Sequence, residues 1–109
     1  MKNSCDCKKY IPLAEAVKAL AHPTRLFIVY QLSERPHCVC ELQEMIGADV
    51  STVSKHLALL RRSGIVDSDK KGTKVIYRLK TPCVINFLGC MESVVREKAE
   101  ETLALHNQR

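Results

Sequence analysis

Apolar residues recur at helical spacing over most of this chain and give way to strand-like runs in one region. Across residues 10–21 (YIPLAEAVKALA), Leu13, Val17 and Leu20 share one helical face, and Pro12 suits a first turn. His22-Pro23-Thr24 interrupts that helix. Pro23 can open a second one, which carries Leu26, Phe27, Val29, Tyr30 and Leu32. After the connector Glu34-Arg35-Pro36, a short helix is expected over 39–46, stopped by Gly47. Asp49 or Ser51 is a credible N-cap for the next helix, over 52–63, which Gly64 ends. Its Val53, Leu57 and Leu60 face a core. Ser51, Thr52, Ser54, Lys55, His56 and Arg62 lie wholly or partly off that face.

The β-prone runs Ile65-Val66-Asp67 and Lys74-Val75-Ile76-Tyr77-Arg78-Leu79 flank a polar stretch, Ser68-Asp69-Lys70-Lys71-Gly72-Thr73, which predicts a hairpin. Thr81-Pro82 then opens a last helix over 83–106, with an apolar stripe of Val84, Leu88, Met91, Val95 and Leu103. A stripe this long calls for a partner helix from a second subunit. The fold class expected is mostly α with a small β-hairpin: a winged helix-turn-helix. It forms one domain over 1–109, with a short cysteine-bearing arm at 1–9 and a dimerisation helix at 83–106.

Composition narrows the setting. The 109 residues are 46% hydrophobic, which excludes a chain disordered by composition. No apolar run approaches the roughly 18 to 20 residues of a membrane helix, so no membrane partner is expected. The polar start, Met1-Lys2-Asn3-Ser4-Cys5-Asp6, does not resemble a signal peptide, and a cytoplasmic location with reduced thiols is expected. The formal net charge is +5 and unevenly placed. Residues 51–80 hold eight Lys and Arg against Asp67 and Asp69, a net +6, leaving the rest close to neutral.

Such a concentration fits a phosphate-facing surface, although a merely solvated charged face is the plainer alternative. The helix pattern favours the first. A helix entering the major groove needs small hydrogen-bonding side chains and a base on its outer face, as Ser51, Thr52, Ser54, Lys55 and His56 provide. Arg62 extends the basic face, and Lys70, Lys71 and Lys74 at the hairpin would lie against phosphates or the minor groove. The expected partner is operator DNA carrying an inverted repeat. No Cys-x-x-Cys, phosphate loop or acid/base constellation supports an enzyme, and no organic cofactor is implied.

Six cysteines in a reducing compartment need a role other than disulfides. They fall as Cys5/Cys7, Cys38/Cys40 and the looser Cys83/Cys90. A thiol at a helix N-terminus favours thiolate, the form that soft metals bind, which singles out Cys38 and Cys40. The alternative is a pair of small cysteines packed under the helix-turn-helix. Cys83 and Cys90, seven residues apart, stand about 10.5 Å apart along a helix and cannot chelate one ion within it. His37, just before the pair, is a possible auxiliary ligand. Thiols alone leave a redox or persulfide sensor open. A metal-buffering protein would have no use for the basic hairpin.

The sequence also resembles the ArsR/SmtB family of metal-responsive repressors. The likeness lies in Lys18-Ala19-Leu20-Ala21-His22-Pro23-Thr24-Arg25-Leu26, in Cys38-Val39-Cys40-Glu41-Leu42, and above all in Ser51-Thr52-Val53-Ser54-Lys55-His56-Leu57-Ala58-Leu59-Leu60-Arg61-Arg62-Ser63-Gly64-Ile65-Val66. It implies a homodimer through the first and last helices, repression of a resistance operon, and release on binding an inducer. Cys38 and Cys40 match the family's thiolate site, which implies As(III) or Sb(III) as inducer, or alternatively Cd(II) or Pb(II). The family's arsenite pattern often has a third cysteine where Gln43 stands. The third thiolate would then come from Cys5 or Cys7, as in the family's cadmium/lead branch, or less favourably from Cys83 or Cys90. The family's zinc ligands on the last helix are missing, with only His106 there.

Overall fold

The computed structural model describes residues 3–107, with side chains from Asp6 onward. A short helix α1 (Asn3–Lys8) leads into α2 (Ile11–Leu20), with Pro12 near the start of α2 and the Tyr10 amide bonded to the Cys7 carbonyl at 3.0 Å. The chain then breaks at Ala21 and His22. The His22 Nδ1 accepts the Thr24 amide at 3.0 Å and so caps α3 (Pro23–Glu34), which Pro23 opens.

Two residues of strand follow, β1 (His37–Cys38), running directly into α4 (Val39–Ile46). The helix ends at Gly47, whose φ of 82° is the left-handed conformation that lets the chain turn sharply. Asp49, rather than Ser51, caps α5 (Val50–Arg62), accepting the Thr52 amide at 2.9 Å. Strands β2 (Val66–Lys71) and β3 (Lys74–Leu79) form the hairpin, and α6 (Val84–Asn107) closes the chain.

Three buried stripes meet in one core. Ile28, Val29 and Leu32 come from α3, Leu42 from α4, and Val53, Leu57 and Leu60 from α5. Ala19, Leu20, Ile65, Val66 and Leu88 extend it. This core clamps α4 and α5 in the helix-turn-helix arrangement and leaves the outer face of α5 in solvent.

The structure adds detail at three places. The segment read as a short arm contains a helix, Asn3–Lys8. A helix rises about 1.5 Å per residue, under half the reach of an extended chain. The hairpin turn is also much shorter than Ser68–Thr73 implied. Asp69 pairs with Ile76, Lys70 with Val75 and Lys71 with Lys74, so only Gly72 and Thr73 make the turn. Gly72 alone of the two has positive φ, at 65°, as a type II′ turn requires. Finally, the sheet has three strands in the order β1-β3-β2, with His37 opposite Tyr77 and Cys38 opposite Ile76. The thiol segment is therefore part of the wing's own sheet.

Candidate nucleic-acid interface and thiol site

Helix α5 separates its two duties cleanly. Val53, Leu57 and Leu60 are completely buried, while Ser51, Thr52, Ser54, Lys55, Arg61 and Arg62 are exposed. At its tip the Asp49 carboxylate accepts from the Thr52 amide and, at 3.3 Å, from the Ser51 hydroxyl. Hydrogen bonding from Thr52, by side chain and then backbone, holds Asp49 below the usual carboxylate range. The first turn is thus rigid and presents Ser51 and Thr52 outward.

Beside α5 the hairpin holds Lys70, Lys71 and Lys74 exposed around its turn. None of them has an ion-pair partner among the described residues. Arg78 differs: it bonds Asp67 across the strands at 2.8 Å and approaches Asp69 at 3.7 Å. Both acids of the basic region thus face Arg78, and the lysines at the tip stay available for phosphate.

His56 is not free in the way its position on α5 implied. It is half-buried, with its Nδ1 3.2 Å from the Arg25 guanidinium and its ring against His22, centroids 4.5 Å apart. Burial, then His22 and Arg25, lower its pKa below the usual histidine value. Arg25 is the residue that sequence reasoning passed over as a functional group. Its signal lay within the quoted His22-Pro23-Thr24-Arg25 run.

The two central cysteines stand apart in environment. Cys38 is the N-cap of α4 and the strand partner of Ile76, and it is buried; Cys40, two residues later, is exposed. The Glu41 side chain reaches back to accept the Cys38 amide at 3.1 Å, and Arg35 lies 3.0 Å from the same carboxylate. Arg35 first, then the Cys38 amide, pull the Glu41 pKa down to about 2.

His37 is 4% exposed, and its Nδ1 has no hydrogen-bond partner, the Glu41 carboxylate being 3.5 Å away. Two sulfurs and an orphaned imidazole nitrogen thus fall within four residues, a donor set suited to a soft ion. It is not preassembled: among the described residues no three His, Cys, Asp or Glu side chains gather to hold a metal. Cys7 and Cys90 are exposed, and Cys83 is an exposed residue on the groove between α2 and α6. The Cys5 side chain lies outside the described residues.

That groove is apolar, lined by Leu13, Val17, Leu20, Ile65, Val84 and Phe87. Farther along α6, Val94, Val95 and Leu103 are more than half exposed. Among the described residues, no helix is long and apolar enough to cross a membrane.

Comparison with known proteins agrees with this architecture. A family model described as "Bacterial regulatory protein, arsR family" matches residues 22–68. The chain is 42% identical over 65 residues to the HTH-type transcriptional repressor SmtB of Mycobacterium tuberculosis, a match covering 60% of this chain and 48% of that protein. It therefore spans about half the length of that relative. It is 43% identical over 88 residues to the cadmium resistance transcriptional regulatory protein CadC of Listeria innocua, covering 80% and 71% of the two chains. Among solved structures, the homodimeric winged helix-turn-helix DNA-binding domain Mb0332 of Mycobacterium bovis superposes with a TM-score of 0.73 at 25% identity, covering 93% and 92%. A buried core carrying a helix-turn-helix, a basic wing paired to the segment before α4, and these matches together identify the chain as a member of the ArsR family of bacterial regulatory proteins.

Proposed function

We propose that this chain is a transcriptional repressor that binds operator DNA as a homodimer and releases it when Cys38 and Cys40 capture a thiophilic ion. The exposed face of α5 supports base reading in the major groove, and Lys70, Lys71 and Lys74 support phosphate contact at the wing. Homodimerisation through α2 and α6 is supported by their apolar groove and by the homodimeric state of the Mycobacterium bovis domain.

The observation that carries the sensing step is the contrast between buried Cys38 and exposed Cys40. Sulfur-to-metal bonds are short, about 2.3 Å for zinc, so an ion shared by both sulfurs would draw the buried Cys38 towards the exposed Cys40. Drawing Cys38 outward removes the N-cap of α4 and the β1–β3 pairing in one movement. The helix-turn-helix and the wing then lose their common anchor. Because binding is linked, DNA weakens capture of the ion as much as the ion weakens DNA, typically by about 1–3 kcal/mol.

A third donor is needed for As(III) or Sb(III). Cys5 or Cys7 would supply it, or less favourably Cys83 or Cys90, with His37 as an auxiliary ligand. The Listeria innocua relative, named for cadmium resistance, favours Cd(II), with Pb(II) beside it, as the second reading of the inducer.

The test is an operator fragment selected from random DNA by the reduced protein, then challenged with arsenite, antimonite, Cd(II), Pb(II) and Zn(II). At least one thiophilic ion should displace the wild type. Cys38→Ser and Cys40→Ser should bind DNA normally and fail to release it. Normal release by both single variants would remove this sensing site.

A further inference from the structure

A polar cluster of His22, Arg25 and His56 stands outside the thiol segment. It sits where the middle of α5 meets the break between α2 and α3. Arg25 makes two directed bonds there. Its Nε donates to the Ala19 carbonyl at 2.6 Å, and its Nη1 lies 3.2 Å from the His56 Nδ1. A guanidinium has donors only, so His56 Nδ1 must be the acceptor and its ring proton must sit on Nε2. His22 is fixed in turn, since its own Nδ1 caps α3. Its ring lies against His56 at 44°.

Three elements are joined at this point: the last turn of α2 through Ala19, the first turn of α3 through Arg25, and α5 through His56. The other contacts of α5 with the core, made by Val53, Leu57 and Leu60, are apolar. Apolar packing sets how deeply a helix is seated but is non-directional, so it fixes rotation and tilt less firmly. The Arg25–His56 bond is directional. It acts one turn from Thr52 and next to Lys55, whose aim into the groove depends on that rotation.

We propose that Arg25 and His56 are positioning residues for operator recognition, the neutral imidazole holding α5 in its reading orientation, and that protonation of His56 releases this hold and weakens DNA binding. The inference rests on the reading of α5 as the operator-contacting helix. The titratable groups that face His56 from the elements packed against it are His22, at the α2–α3 break, and Arg25, on α3. Lys55 flanks it on its own helix. Beyond Arg25, the cleft carries Glu15, Lys18 and Arg62.

Burial together with His22 and Arg25 keeps the His56 pKa below its ordinary value. The neutral form therefore prevails at neutrality. The brace is complete above the ordinary histidine value of about 6.5 and is lost as pH falls through the lowered one. The sign separates this role from direct DNA contact. An imidazole touching phosphate would gain charge in acid and tighten binding.

Fluorescence anisotropy on the selected operator, with the full chain at fixed ionic strength between about pH 8 and about pH 5, reads this sign. Wild-type affinity should fall about tenfold towards the acid end, the size of one hydrogen bond to a charged group. His56→Asn, whose amide oxygen stands close to the place of Nδ1 but does not titrate in this range, should flatten the profile. Arg25→Gln should lower affinity at neutral pH while leaving its salt dependence unchanged, since a positioning residue releases no counterions from DNA.

In the DNA-free protein, an NMR titration should find the His56 midpoint below about 6.5, and Arg25→Gln should raise it. Wild-type affinity that holds or rises in acid, full pH dependence in His56→Asn, or an unshifted midpoint in Arg25→Gln would overturn the assignment. Failure of the wild type to bind any DNA at neutral pH would instead sink the operator-binding reading, with the NMR midpoints still deciding whether Arg25 holds His56.

Discussion

Helices α5 and α6 are both amphipathic, yet one is a finished surface and the other is not. Over Val50–Arg62, α5 buries Val53, Leu57 and Leu60 completely within its own chain and, Val50 apart, turns mainly hydroxyls and bases outward. Over the 24 residues of Val84–Asn107, α6 buries only Leu88 and leaves Phe87, Met91, Val94, Val95, Leu103 and Leu105 exposed. An outward polar face is a surface for a polar, charged partner. An outward apolar face is one for another apolar surface, which the proposed homodimer would supply. The same pattern of alternation thus carries two meanings, and burial tells them apart.

The largest expected effect tests the finished side. Leu57→Ala should cost about 3 kcal/mol of stability in urea unfolding, because a fully buried leucine leaves a cavity beside Val53 and Leu60. A loss under about 1 kcal/mol would mean that α5 is not seated in the core as described. Next, Phe87→Asp on the unfinished side should leave helix content and unfolding cooperativity intact. It should convert a dimer to monomers in sedimentation and lower operator affinity by roughly a hundredfold, the scale of an interface hot spot. A persistent dimer would move the interface away from the α2–α6 groove.

The smallest effect concerns the wing. Replacing Lys70 and Lys71 together by alanine should weaken binding modestly and uniformly across DNA sequences. The salt slope should fall by about one unit per lost phosphate contact. Arg78→Ala should change that slope less, since Asp67 and Asp69 already hold its guanidinium. Equal slopes for the two variants would erase the distinction between tip lysines and paired arginine.

Much of this is legible from residue order. The stop at Gly47, the inward face of Val53, Leu57 and Leu60, and the hairpin around Gly72 follow from local rules that need no partner. The length of β2 does not, because Ser68, Asp69 and Lys70 are poor strand formers individually. They are held by register against Tyr77, Ile76 and Val75. Nor could spacing reveal β1, whose two residues become strand only because β3 lies alongside.

Sequence alone determined the helix-turn-helix and the basic wing, because each depends on neighbours within a few residues. Tertiary structure decided three further matters: that Cys38 is buried where Cys40 is not, that His37 and Cys38 belong to the wing's sheet, and that His56 faces Arg25 rather than open solvent. The physical reason is common to all three. Burial, strand pairing and the partner of an imidazole are set by residues 31 to 40 positions away along the chain, and only the packed core brings those residues within reach.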